Sequence, residues 1–501
     1  MKSADVTPRH RSDNPPQVFH SSRSFNPVIR CFLGIWALFA LFPGGVSAAT
    51  YYFDYASGSD SNSGTSKSSP WKHHPYMAGW SGNYSHSSGD RFIFKGGTTW
   101  SSTCFPMQLK ASGSASVSDY YGVDLTWFSG STFTKPVMDG EYLKGELFNL
   151  SSFFNVTIDS LELKRINCTD NWGSGLIDGG AVGNILIKNC YLHGWRVTTT
   201  TDDAHGGVLF GQVDPKGIIS VVLDGCEIEN SENSARWNGV CARFVGTIRN
   251  CKIHDNSSAV LFCLDFDHSE LYNICTPNSG FDANYHFNGI YLDASTLGQS
   301  VGYIRNSYLH DVGGGANMAY PNPEGATIYI YNNVMYGKMS AQQAIEIDPY
   351  DYGAGGSTGV VYVYNNTIAV DPSTYTAIHV VNRGGNPVLN TLIAENNLVI
   401  GSATVTDGDA TTVSHLAQDH NLVESVLQAS SLGFVLKNLF APIGSNSPTV
   451  NAGTNSPASL FNTDILGVKR PQGGQWDIGA YEFTSTSTTT QAPQNLRIVS
   501  P

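Results

Sequence analysis

Apolar and polar positions alternate in short runs through the middle of the chain, and one run returns repeatedly with Asn at the same place. It reads Ile187-Lys188-Asn189-Cys190-Tyr191-Leu192-His193, then Ile248-Arg249-Asn250-Cys251-Lys252-Ile253-His254, then Ile304-Arg305-Asn306-Ser307-Tyr308-Leu309-His310. Weaker copies lie at Leu223 to Glu229, Ile330 to Tyr336, Val363 to Ala369 and Ala394 to Ile400. Counted from Asn189 through Gly225 to Asn250, Asn306, Asn332, Asn365 and Asn396, the steps are 36, 25, 56, 26, 33 and 31 residues. The long step reads as two coils with a degenerate copy near Asn273. Period-two alternation predicts strands, and self-similarity at this length predicts stacked coils. The expected fold is therefore all-β, a right-handed parallel β-helix with an N-terminal cap and a C-terminal closing segment. In such a stack the inward side chains fill a narrow core, so chemistry belongs on an outward column or in a loop that interrupts the repeat.

Before the repeats, a basic stretch with Arg9, Arg11, Arg23 and Arg30 leads into an apolar run from Cys31 to Phe42 and a small-residue site at Val46-Ser47-Ala48. This pattern predicts a cleaved signal peptide over residues 1–48 and a secreted mature protein, the run being too short to span a bilayer. Residues 49–150 read as the cap and first coils, 151–425 as the repeats, 426–483 as the closing segment, and 484–501 as a Ser/Thr linker with a short stub.

The opening carries the loop Gly58-Ser59-Asp60-Ser61-Asn62-Ser63-Gly64-Thr65, then Pro70-Trp71, then the strand Gly89-Asp90-Arg91-Phe92-Ile93-Phe94 ended by Gly96-Gly97. These features resemble the start of right-handed β-helix proteins of the pectate-lyase-like superfamily, many of them exported polysaccharide lyases and glycosidases. The resemblance implies the fold and an exported, carbohydrate-related setting; it brings no catalytic residue with it. Trp476 to Phe483 resembles the segment closing many exported bacterial β-helix proteins, and Ala492 to Val499 resembles the first strand of an uncompleted fibronectin-type module.

Net charge is −13, and −16 once residues 1–48, with five Lys or Arg and two acids, are removed. Nucleic acid and anionic membranes are thereby poor partners; a polysaccharide substrate is what the resemblance implies, and a monomer is expected. Eight Cys remain outside the signal. Cys190, Cys226 and Cys251 share one register, compatible with disulfides between coils or with a buried thiol ladder. No certain cofactor emerges. Asp54, Asp60 and Asn62 offer oxygens to a calcium ion, but Asx turns account for them more simply.

His193, His254 and His310 form one column with Glu229 and Tyr336, and its regular recurrence makes it structural. A second strand is more discriminating. Aligning Gly207 to Phe210, Gly239 to Ala242, Ala259 to Phe262, Gly289 to Leu292, Ala344 to Ile347 and Ala377 to Val380 gives one outward column, Leu209, Cys241, Leu261, Tyr291, Asn317, Glu346 and His379. The other is Gly211, Arg243, Cys263, Asp293, Ala319, Asp348 and Val381. Catalytic candidates are thus Asp293, Asp348, Glu346 and Arg243; substrate-binding candidates are Tyr291, His379, Trp237 and Tyr350. Loops at 198–207, 265–268, 284–286 and 349–352 flank this face.

Asp293 and Asp348, two coils apart, suit an inverting glycosidase, whose acid and base stand about 6.5–9.5 Å apart, with Glu346 in support. A calcium-dependent lyase, with Arg243 as base or carboxylate clamp, is the first alternative, and a non-catalytic glycan-binding or adhesion protein the second. The glycan is not legible.

Overall fold

The computed structural model describes residues 47–485, apart from 152, 169–173, 181–182, 198–204, 211–219, 231–238, 257, 275–287, 295–298, 314–316, 338–342, 350–358, 371–375 and 383–388. The signal-peptide reading, Trp237, Tyr350 and the loops 198–204, 284–286 and 350–352 fall outside the described residues. No described helix is long and apolar enough to cross a membrane.

Every pairing between strands is parallel, as in Asn288–Asp293 with Asn317–Asn322 and Val301–Arg305 with Thr327–Tyr331. A coil with separate strands contributes three, whereas Val240–Arg249 and Ser258–Asp267 each run through two of the faces as one strand. One coil comprises Asn288–Asp293, Val301–Arg305 and Tyr308–Val312; the next comprises Asn317–Asn322, Thr327–Tyr331 and Val334–Tyr336. The stack therefore has three faces, here called A, B and C in chain order. The chain is a parallel β-helix, the architecture the repeats predict. A right-handed sense is the rule for crossovers between parallel strands. Thr50–Phe53, Arg91–Phe94 and Asp119–Gly122 pair in turn and join the stack through Phe154–Asp159, so the opening is built into the same sheet.

The recurring Asn marks the corner between faces B and C. Asn189, Asn250, Asn306, Asn332, Asn365 and Asn396 all have φ between 50° and 59°, with Gly225 at 66°. L-residues resist this left-handed region, and Asn and Gly are the ones that tolerate it. The Asn332 amide donates to Asn306 Oδ1 (3.2 Å) and that of Asn396 to Asn365 Oδ1 (3.1 Å), while Asn189, Asn250 and Asn306 donate to Asp159, Asp224 and Asp267. The long step is two coils, but its anchor is His268 (φ 44°), leading into Glu270–Ile274. Asn273 belongs to a different corner, donating to Asp255. Its own left-handed φ of 51° accounts for an Asn at that second corner.

One residue further on, side chains turn inward and form a ladder through Cys190, Cys226, Cys251, Ser269, Ser307, Asn333, Asn366, Asn397 and Asn421. The Asn333, Asn366 and Asn397 backbone N–H groups donate to the Oδ1 of Asn366, Asn397 and Asn421 at 3.0, 3.0 and 2.8 Å. Cys226 N–H donates to Cys251 Sγ at 3.4 Å. Cys190, Cys226 and Cys251 are buried and none of the three forms a disulfide, so this register is a thiol ladder rather than a run of disulfides.

Residues 434–481 lie against face C, where Leu439, Ala441, Ile465, Ala480 and Tyr481 pack on Tyr308, Val334 and Tyr336. The same segment is tied to the corner. Asn332, Asn365 and Asn396 give their amides to the carbonyls of Thr463, Asp477 and Thr454 at 2.7, 2.9 and 2.8 Å. Behind it the buried Arg470 pairs with Glu482 at 3.2 Å and donates to Gly479 O at 2.9 Å.

Candidate functional site

On face A the inward row is Val208, Ala242, Val260, Ile290, Ala319, Ile345 and Ile378, all fully buried. Beside it the strand registers align Leu209, Arg243, Leu261, Tyr291 and Tyr320. Ala319 opposite Ile345 brings Tyr320 level with Glu346, which opposes His379. The sequence alignment of this column was thus correct for Leu209, Leu261, Tyr291, Glu346 and His379 and displaced at Cys241 and Asn317, where Arg243 and Tyr320 stand instead. Arg243 lies in the row of Tyr291, not with Asp293 and Asp348. Val240 and Ala242 both occupy inward positions, and period-two alternation cannot distinguish a shift of two residues. Asn317 opposes Asn288, and Ala319 points inward, because Asn317-Met318-Ala319-Tyr320 has no β-branched residue to mark its face. Cys241 and Cys263 are buried core positions.

Two residues along, Asp293 opposes Asn322, and Asp348 N–H donates to Pro321 O (3.1 Å), as it does when level with Asn322. Asp293, Asn322 and Asp348 therefore occupy three successive rungs. At about 4.8 Å per strand the outer backbones stand about 10 Å apart. The three are 2, 0 and 1% exposed, so this row is not the solvated surface that the alternation predicts. Tyr320 hydroxyl donates to Asp348 Oδ2, and Asn322 Nδ2 donates to Tyr291 Oη at 3.3 Å. Burial, followed by the bond to Asp348, drives the Tyr320 pKa far up, so the phenol keeps its proton. Asn322 Oδ1, on the rung between the two carboxylates, has no hydrogen-bond partner among the described residues. A buried acceptor left open costs about 1–3 kcal/mol, and such a position suits a donor from outside the protein.

A bulge helps to shape the aromatic wall. Phe262 is the extra residue between Leu261 and Cys263, with φ 57°, and it meets Tyr291 edge-on at 5.1 Å. Tyr291 stacks on Tyr320 at 5.0 Å. Bulges of this kind re-aim side chains.

At the other end of the outward row lies Asp178, level with Leu209. Burial first, then the charge of Glu146, pushes its carboxyl up to about 7. Sequence reasoning missed Asp178, Tyr320, Asn322 and Asp407. The alternation of Leu176 to Gly179 would have found the first; Asp407 sits in an irregular loop with no pattern to read. The 265–268 segment belongs elsewhere. Asp265 and Asp267 end a strand on face B, where Arg305 lies 2.7 Å from Asp265 and 3.5 Å from Asp267.

The opening acids are spoken for: Asp54 binds Ser57 and Lys95, Asp60 accepts from His73, and Asn62 donates to Pro70 O. Among the described residues no group of three or more His, Cys, Asp or Glu is arranged to hold a metal ion.

No family model and no curated protein matches the sequence. Among solved structures, the pectate lyase Pel9A aligns over 88% of this chain and 98% of its own, with a TM-score of 0.45 and 15% identity. The GH136 lacto-N-biosidase from Eubacterium ramulus aligns over 75% and 68%, with 0.38 and 12%. The A-module of the Azotobacter vinelandii mannuronan C-5 epimerase AlgE6 aligns over 67% and 91%, with 0.32 and 10%. At these identities the likeness is one of architecture.

Proposed function

We propose that the chain is an exported carbohydrate-active enzyme, a glycoside hydrolase whose acid and base are Asp293 and Asp348. The observation that carries this reading is the open Asn322 Oδ1 on the rung between two buried carboxylates. A water or sugar hydroxyl held there would lie between two carboxylates whose backbones stand about 10 Å apart; side chains leaning together would reach the roughly 6.5–9.5 Å that inversion requires. Tyr320 orients Asp348, and the stacked Tyr291 and Tyr320 supply an aromatic wall for a sugar ring. Asp293, Asp348, Glu346 and Asp407 outweigh Arg243 and His379 on this face, which favours a neutral glycan over a polyanion.

A lyase needs a basic side chain at the acids. Arg243 lies between Leu209 and Leu261, four rungs from Glu346 along the outward row, which weakens that reading. A panel of neutral and acidic polysaccharides, with and without chelator, tests the proposal. New reducing ends without near-ultraviolet absorbance are expected. An unsaturated product would make the protein a lyase, and binding without cleavage an adhesin. Export is tested by sequencing the N-terminus of secreted protein: the chain should begin near Ala49, and retention of Arg30 would defeat it.

A further inference from the structure

Four histidines stand on outward columns with carboxylates beside them, and one differs from the rest. On face C both ring nitrogens of His254 are taken, by Asp255 (2.7 Å) and Glu227 (3.3 Å), and both of His310, by Asp311 (2.8 Å) and Glu270 (3.2 Å), while His193 bonds Glu162 (3.3 Å) and has the Glu229 carboxylate 3.8 Å from its other nitrogen. His379 on face A has only Nδ1 engaged, 2.6 Å from Asp407 Oδ2. Asp407 is itself fixed: its Oδ1 accepts the Val380 N–H at 3.1 Å, and its own N–H donates to Ile378 O at 3.3 Å. The carboxylate is thus pinned to the strand that carries the imidazole. It can only accept, so the shared proton sits on Nδ1. No described protein group takes Nε2, and the side chain is 29% exposed.

We infer that His379 is a substrate-binding hydrogen-bond donor of the groove, its Nε2–H aimed at a glycan oxygen and its ring positioned by Asp407. Glu346, one rung below, separates it from Tyr320 and the Asp348 row. The identification of the ligand as a glycan rests on the hydrolase reading. A carboxylate that holds an imidazole by one nitrogen fixes which nitrogen does the work. Here it leaves Nε2 with a proton to donate only while the ring is charged. Asp407 first, and Glu346 more weakly, favour that charged form against burial, so the His379 pKa lies above its ordinary value. No other titrating group is among the causes of this shift. Glycan affinity should therefore be full at low pH and fall as pH rises through the His379 pKa, when Nε2 loses its proton and becomes an acceptor.

The experiment is a titration of the full chain with labelled histidine, the His379 signal being assigned by its loss in His379→Gln. The wild-type midpoint should exceed about 6.5, the ordinary value. Asp407→Asn should lower it and Glu346→Gln should lower it by less. In steady-state kinetics on whichever glycan the panel identifies, KM should rise with pH through the same midpoint while kcat changes little. Asp407→Asn should move that rise to lower pH; His379→Gln, which keeps a donor but cannot titrate, should abolish it. A His379 midpoint unchanged in Asp407→Asn, or a KM profile that this substitution leaves in place, would overturn the inference. The two readings fail separately. A protein that cleaves no glycan but shows the shifted, Asp407-dependent titration rejects the hydrolase and keeps the dyad; cleavage with an unmoved KM profile does the reverse.

Discussion

Faces A and C each display a column of His, Glu and Tyr, yet the two columns do opposite things with the same side chains. On face C, His254, Tyr272, His310 and Tyr336 stack ring on ring at 4.6, 5.2 and 4.7 Å, within 10° of parallel. His254 and His310 are each bracketed by an acid from their own coil and one from the coil below. Face A breaks the period. A bulge turns out Phe262, Tyr320 reaches across to Asp348, Asn322 keeps an open acceptor, and His379 keeps an open nitrogen. Regular recurrence with the imidazole nitrogens held by neighbouring acids is the mark of a stabilising column. Irregular rungs with unspent hydrogen-bonding capacity mark a surface shaped for a ligand.

The largest effect that would break this contrast is on rate. Asp293→Asn and Asp348→Asn should each lower kcat by about 10²–10⁴, since an amide cannot exchange the proton. Both acids are buried, so a Tm shift of a few degrees should accompany it; Asn at 348 still accepts from Tyr320. Glu270→Gln on face C should lower Tm and leave the rate untouched. Equal rates in wild type and both Asn variants would dissolve the distinction between the faces.

A smaller effect belongs to the inward ladder. Asn366→Ala removes the acceptor of the Asn333 N–H and the donor to Ile330 O, leaving buried groups unpaired at a cost of about 2–4 kcal/mol. Chemical denaturation should show this as a lowered midpoint with an unchanged slope.

The smallest is pH dependence on face C. Burial lowers the His254 pKa, but its bonds to Asp255 and Glu227 more than offset this and raise it to about 9. A raised histidine stabilises fully below its unfolded value of about 6.5 and loses that contribution as pH climbs through about 9. Because both acids are partly exposed, screening reduces the gain to about 1–2 kcal/mol. Unfolding free energies measured at either end of this window should differ by that amount in the wild type and converge in His254→Gln.

The corner was legible because its backbone leaves few residues eligible: left-handed φ selects Asn and Gly, so Asn250, Asn306 and Gly225 announce themselves. The slot after it was not. Cys251, Ser307 and Asn333 look unlike one another, and only the stacked geometry reveals a common hydrogen-bonding task. On face A, Asp293 and Asp348 were legible as a pair two coils apart, since β-branched neighbours such as Ile290, Ile345 and Ile347 mark their strands. Arg243 and Asn317 were misplaced where alternation is blind to a two-residue shift or the strand lacks β-branched residues. Asp407 was invisible because a loop carries no period at all.

The tie between the closing segment and the corner has a consequence for how the stack comes apart. In a solenoid each coil touches only its neighbours, and an end coil can ordinarily peel away alone. Here residues 454–479 hold the amides of Asn332, Asn365 and Asn396, one on each of three successive coils. One further rung, Val413–Asp419 with Leu422–Glu424, lies above these three and is not held by those bonds. The three tied coils open as one block or not at all, and the amides of Thr327–Tyr331, Val360–Tyr364 and Leu389–Glu395 share a single exchange rate under native conditions.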